Sequence, residues 1–176
     1  VSQIIAKVRE KRGEGGLPIY LHTDAAQAAN YLDLHVSGLG VDLMSLNSGK
    51  MYGPKGAGCL YVGPHVRLQA QVLGGGQERG LRSGTENIPA IIGFTAALIE
   101  AQSMRLAEAD RLNYLREKLD TGLKNLGGFV HAAGAKRLPN VCSVELPGID
   151  NERLVMQLSA LGIMVSTGSA CHARSG

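Results

Sequence analysis

The architecture this sequence predicts is an α/β layer followed by a smaller α+β unit. Three observations predict it. Short apolar runs bounded by turn formers, at residues 17–23, 41–46 and 59–62, read as buried strands and are interleaved with helical stretches. From Ile88 onward the apolar spacing changes to that of a helix, and two successive helical patterns follow. After them come two further strand-like runs, a capped helix and a last apolar run, the order expected of an α+β unit. The boundary between the two parts is placed near residue 95, which divides the chain into residues 1–95 and 96–176.

Residues 1–11 form a helical pattern, and Gly13–Gly16 make a turn. The run at 17–23 ends at Asp24, with Pro18 tolerable at a strand start. A short helical or irregular piece spans 25–30, and residues 36–40 lead into the strand at 41–46. That strand stops at Asn47-Ser48-Gly49-Lys50-Met51-Tyr52-Gly53-Pro54-Lys55-Gly56, a glycine-rich turn with two lysines, before the strand at 59–62. Residues 74–87 carry too many glycines for a helix or strand and form a sharply bent loop. Ile88, Ile91, Ile92, Thr95, Leu98 and Ile99 share one helix face, with Pro89 in the first turn. Leu112, Leu115, Leu119, Leu123 and Leu126 form the stripe of the second pattern, which Gly127-Gly128 ends. Strands are expected at 129–131 and 141–146, a turn at Pro147-Gly148, and a helix capped by Asp150. A final strand at 163–166 runs into Thr167-Gly168-Ser169-Ala170-Cys171.

Composition narrows the function. With 44% hydrophobic and 19% charged residues, the 176-residue chain can bury a core of ordinary size. The net charge of +3 comes without a basic block or stripe, which argues against a nucleic-acid partner. No apolar run reaches the roughly 18 residues of a membrane span, and no signal-peptide core opens the chain, so a cytoplasmic protein is expected. The chain opens inside a helical pattern without a methionine and closes in a polar loop, so it is expected to be a portion of a longer protein. Three widely spaced cysteines fit neither a disulfide framework nor a four-cysteine metal site. Cys59 and Cys142 lie in apolar runs and read as core, whereas Cys171 sits in a polar loop beside His172 and reads as a free nucleophile.

A carboxylate (Asp24), an amine (Lys50) and a thiol (Cys171) therefore lie at the ends of three predicted strands. Ligands of α/β sheets bind in the crevice at such ends. Lysine can form a Schiff base with an aldehyde, and a pyridine-ring cofactor needs a carboxylate to keep its ring nitrogen protonated. Taken singly, Asp24 reads as a helix N-cap, Thr85 as a turn hydroxyl, and Lys50 or Lys55 as a solvated lysine.

Four strings carry a resemblance: His22-Thr23-Asp24-Ala25-Ala26-Gln27, the Ser48 to Gly56 turn, the Gly74 to Asn87 loop, and Ser166 to Cys171. In this order and spacing they resemble the cysteine desulfurases of the NifS/IscS type, pyridoxal-phosphate enzymes of the class V aminotransferase group. The resemblance implies the C-terminal part of a fold type I large domain over residues 1–95, and a small α+β domain over 96–176 ending in the catalytic-cysteine loop. It implies that Lys50 holds pyridoxal 5'-phosphate covalently and later moves the substrate α-proton. Asp24 would pair with the pyridinium nitrogen, Gln27 would hydrogen-bond the phenolic oxygen, and Thr85 would reach the cofactor phosphate of the other subunit in a homodimer. Cys171 would attack the sulfur of L-cysteine, leaving L-alanine and a persulfide for a sulfur-acceptor protein, either an iron–sulfur scaffold or a tRNA-thiolation relay.

The sequence also departs from that family. Its usual Ser-x-His-Lys is replaced by Asn47-Ser48-Gly49-Lys50, so Gly49 brings no imidazole and Ser48 is expected to donate to the phosphate instead. The family's N-terminal half and the segment beyond the cysteine have no counterpart in these residues. Two alternatives stay open: a selenocysteine lyase or other class V enzyme, and a non-catalytic scaffold or dimerisation portion that needs a second polypeptide.

Overall fold

The structure is a computed structural model that describes residues 2–12 and 17–168. The turn expected at 13–16 and the nucleophile Cys171 lie outside the described residues. The chain divides into two compact units. The first holds the residues up to Tyr114 together with Leu138–Asn140, and the second holds Leu115–Arg137 and the residues from Val141 onward.

In the first unit, helix α1 (Ser2–Arg12) precedes strand β1 (His22–Asp24), helix α2 (Val36–Leu39), strand β2 (Leu43–Asn47) and strand β3 (Gly58–Val62). The sheet order is β1-β2-β3, with β1 parallel to β2 and β3 antiparallel to it. Leu43 and Met44 are both buried, which suits the central strand. The run at 17–23 narrows to His22–Asp24 because register pairs His22 with Leu43. The Leu21 carbonyl still accepts the Asp42 and Leu43 N–H groups, but further back Gly40, with a left-handed φ of 63°, turns the chain into α2, so residues 17–20 pair with no strand among the described residues. Cys59 corrects the sequence reading: β3 is an edge strand whose first three residues are exposed, and the thiol is not core.

One helix, α3 (Ile88–Asn125), replaces the two successive patterns. No glycine or proline interrupts residues 94–121, and the stretch 100–111 is rich in good helix formers. The side of α3 that packs on the first unit carries Phe94, Ala97, Leu98 and Ala101, around a core of Ala29 and Met51. Ile88, Ile91, Ile92 and Ile99, which share one face in the sequence pattern, are exposed. Because Phe94 to Gln102 pack on the first unit, the two units divide between Tyr114 and Leu115, later along this helix than the boundary placed near residue 95.

In the second unit α3 ends in a Schellman motif. Gly127 adopts φ 84°, its N–H donates to the Lys124 carbonyl, and the Gly128 N–H donates to the Leu123 carbonyl. Strand β4 (Phe129–Val130) pairs antiparallel with β5 (Val144–Glu145), a shorter element than the expected 141–146. Asp150 caps helix α4 (Asn151–Ala160), accepting from the N–H groups of Glu152 and Arg153. Residues 163–166 form no strand among the described residues. No helix among the described residues is long and apolar enough to cross a membrane.

Candidate active site

Asp24 and Lys50 are delivered by the only parallel strand pair among the described residues, each at or beyond a C-terminal strand end. Asp24 closes β1 in register with Ser45, and the Ala25 N–H extends the pairing by donating to the Ser45 carbonyl at 2.9 Å. The Asp24 Oδ1 accepts the Ala26 N–H at 3.0 Å, so the carboxylate opens the turn segment at residues 26–31 that carries Gln27. Asp24 and Gln27 are both exposed. His22, on the same strand face as Asp24, lies 2.7 Å from the Ser45 hydroxyl.

Beyond β2 the chain makes a 3-10 turn, Ser48–Lys50, because Asn47 caps it: its Oδ1 accepts the Gly49 N–H at 2.9 Å. The Ser48 carbonyl then accepts the N–H groups of Met51 and Gly53, both at 3.0 Å. Met51 is 2% exposed and fixes the turn to the core, while the side chains on either side, Lys50 and Tyr52, are exposed. The Lys50 carbonyl accepts from Asn30 Nδ2 at 2.8 Å, which joins the segment after Asp24 to the lysine turn.

Five of the six site residues expected from sequence lie among the described residues, and they are placed unequally. Asp24, Gln27 and Lys50 share the exposed C-terminal edge of β1 and β2. Ser48 is wholly buried; its hydroxyl has no hydrogen-bond partner among the described residues and packs against Gly53, so the structure does not bring it to the surface with the lysine. The polar side chain presented at that strand end is Asn47. Sequence reading missed Asn30 as well. Thr85 is exposed and lines a separate cavity of about 1020 Å³, with Cys59, Leu68, Val72, Arg82 and Phe94 on its walls. Partial burial there, with the Glu78 carboxylate nearby, pushes the Cys59 thiol up. No cluster of metal-ligating side chains occurs among the described residues.

Known proteins resemble the chain along nearly its whole length. The profile of the class-V aminotransferases matches residues 1–175. The cysteine desulfurase IscS 1 of Archaeoglobus fulgidus is 44% identical over 157 residues, which are 88% of this chain and 41% of that protein. The cysteine desulfurase IscS of Histophilus somni is 42% identical over 178 residues, covering 99% of this chain and 43% of the relative. A solved NifS-like protein superposes with a TM-score of 0.82 at 36% identity, over 95% of this chain and 45% of the other. The chain spans about two-fifths of the length of the curated relatives it matches. With the profile matched almost end to end and the amine and carboxylate on one sheet edge, the chain belongs to the class-V aminotransferase family of pyridoxal-phosphate enzymes.

Proposed function

We propose that this chain is part of a cysteine desulfurase that converts L-cysteine to L-alanine and stores the sulfur as a persulfide on Cys171. The observation that carries the reading is the joining of the Asp24 segment to the Lys50 turn at the C-terminal edge of β1 and β2, through Asn30. The residues present fit pyridoxal phosphate: an exposed amine, an exposed carboxylate and an exposed amide side chain share that edge. Lys50 would hold the cofactor and then carry the substrate α-proton. Asp24 would keep the ring nitrogen protonated, Gln27 would donate to the phenolic oxygen, and Ser48 would contribute from beneath through the shape of the turn. When bound, the cofactor supplies an electron sink for the substrate Cα.

In the sulfur step the Cys171 thiolate attacks the substrate sulfur. The new S–S bond forms as the Cβ–S bond breaks, and the electron pair left on carbon is protonated to give alanine. The persulfide is then passed to an acceptor protein for iron–sulfur assembly or tRNA thiolation. Thr85 lines a cavity whose walls include neither Lys50 nor Asp24, which supports a role toward the cofactor of a second subunit in a homodimer. The exposure of Asp24, Gln27 and Lys50 favours a site completed by further polypeptide.

The test uses the full-length protein. Borohydride reduction after loading with pyridoxal phosphate is expected to leave the pyridoxyl mass on Lys50, and Lys50→Ala to abolish it while Lys55→Ala does not. Label on Lys55 instead would overturn the assignment. Cys171→Ser is expected to keep the cofactor and lose transferable sulfane sulfur; sulfur transfer that survives this change would sink the desulfurase mechanism.

A further inference from the structure

We propose that Asn30 is a positioning residue for Lys50: its amide holds the Lys50 carbonyl, so that the loop leaving Asp24 and the turn carrying the lysine move as one body. The proposal rests on the reading of Lys50 as the cofactor lysine.

The Lys50 turn is anchored on one side only by its own chain. Asn47 and the Ser48 carbonyl fix the amides of Gly49, Met51 and Gly53, and Met51 packs into the core. These contacts leave the Lys50 peptide on the outside of the turn, where Asn30 Nδ2 reaches its carbonyl at 2.8 Å. The Asn30 segment is in turn held from two directions. Ala29, its neighbour, is 2% exposed and shares the core cluster with Met51 and Phe94. From α3, Gln102 Nε2 donates to the carbonyls of Ala29 at 2.6 Å and Leu32 at 2.9 Å. A continuous path thus runs from α3 through Gln102 to the loop, and through Asn30 to Lys50.

The other end of the same loop is Asp24, already fixed to β2 by strand register and by the Ala25 N–H. Carboxylate and amine are therefore tied twice, once through the strands and once through Asn30. Orientation of reacting groups is where small displacements are costly, so a bond that removes freedom from the lysine turn acts on cofactor capture rather than on the fold alone. The chemistry demands a short amide. Aspartate at this position has no N–H to give and would oppose the carbonyl, and alanine leaves the carbonyl to water.

Amide hydrogen exchange in the cofactor-free full chain tests the contact. Asn30→Ala is expected to speed exchange of the Met51 and Gly53 amides about fivefold, the worth of one net hydrogen bond, with the β2 amides unchanged. Unchanged turn amides, or the same increase across the whole sheet, would overturn the proposal. Asn30→Asp keeps the side-chain size and must speed exchange at least as much as Asn30→Ala does; wild-type exchange in that variant would show that the amide is not the operative group. A double-mutant cycle on equilibrium pyridoxal-phosphate affinity separates positioning from general support. Asn30→Ala should weaken binding about fivefold when Lys50 is present and leave it unchanged in the Lys50→Ala background. Equal weakening in both backgrounds would make Asn30 merely structural. Should Lys50→Ala by itself leave affinity unchanged, the cofactor reading fails while the exchange result still decides the Asn30 contact.

Discussion

At the scale of single residues, the packing beneath the lysine turn is set by Ser48 and Gly53. A methyl group added at Gly53 would collide with the Ser48 hydroxyl and come within 3.0 Å of Ala97 Cβ. Gly53→Ala is therefore expected to lower the unfolding free energy by about 1–3 kcal/mol, the usual cost of overpacking. Ser48→Ala removes a buried hydroxyl that has no partner among the described residues and should be close to neutral. Combining Gly53→Ala with Ser48→Ala should recover part of the loss, since the hydroxyl is the atom that collides. Thermal unfolding of the three variants checks this; additive losses would mean that the two residues do not share one space. The strand-end positions of Asp24 and Lys50 were legible because each stands where an apolar run gives way to turn formers. The burial of Ser48 was not legible, because the turn, not the spacing, decides which of Asn47 and Ser48 faces outward. Asn30 left no signal at all: a side-chain bond to a backbone carbonyl 20 positions away has no periodicity and accepts any residue at its far end.

At the scale of elements, α3 shows how glycines of one helix can have opposite roles. Gly122 has open space where a Cβ would project, so Gly122→Ala should stabilise by about 0.5–1 kcal/mol, the difference in helix propensity. Gly93 lies against the Pro54 ring, 2.9 Å from where its Cβ would be, so Gly93→Ala should destabilise. Urea unfolding that moves both variants in the same direction would contradict this account. The end signals of α3 and α4 were readable in advance, Gly127-Gly128 and Asp150, because capping is local chemistry. Strand lengths were not. Residues 17–21 and 141–143 are apolar enough for strands, but a strand needs a neighbour in register, and register is a property of two segments. The exposed isoleucines of α3 arise similarly, since the helix is apolar on more than one side and periodicity alone cannot choose which side this chain covers.

At the scale of the whole molecule, each compact unit contains a nearly buried aspartate paired with an arginine: Asp42 with Arg9 in the first, Asp120 with Arg137 in the second. Asp120 also accepts from the Cys142 thiol at 3.2 Å, and burial together with that carboxylate pushes the thiol up, consistent with an unreactive structural cysteine. Asp42 joins segments far apart in the chain. It accepts from Arg9 of α1, from the Leu21 N–H ahead of β1 at 2.5 Å, and pairs with His65 beyond β3 at 2.7 Å. Burial alone would push its carboxyl up, but the bonds from Leu21, His65 and Arg9 outweigh burial and hold it below the ordinary carboxylate value. A carboxyl lowered in the folded state contributes stability that is fully present above the unfolded value, about 3.9, and is lost as pH falls through the folded value. Asp42→Asn cannot make the charged pairs at any pH. Arg9 and His65 are substantially solvated, so screening keeps the expected loss near pH 7 to about 2 kcal/mol. Wild type and variant should converge as the pH is lowered from about 4 toward 2, because acid removes from the wild type the interactions that the substitution removes outright. Urea midpoints for the two proteins across that range decide the point: a gap that stays constant into acid would mean that Asp42 supports the first unit by shape rather than by charge.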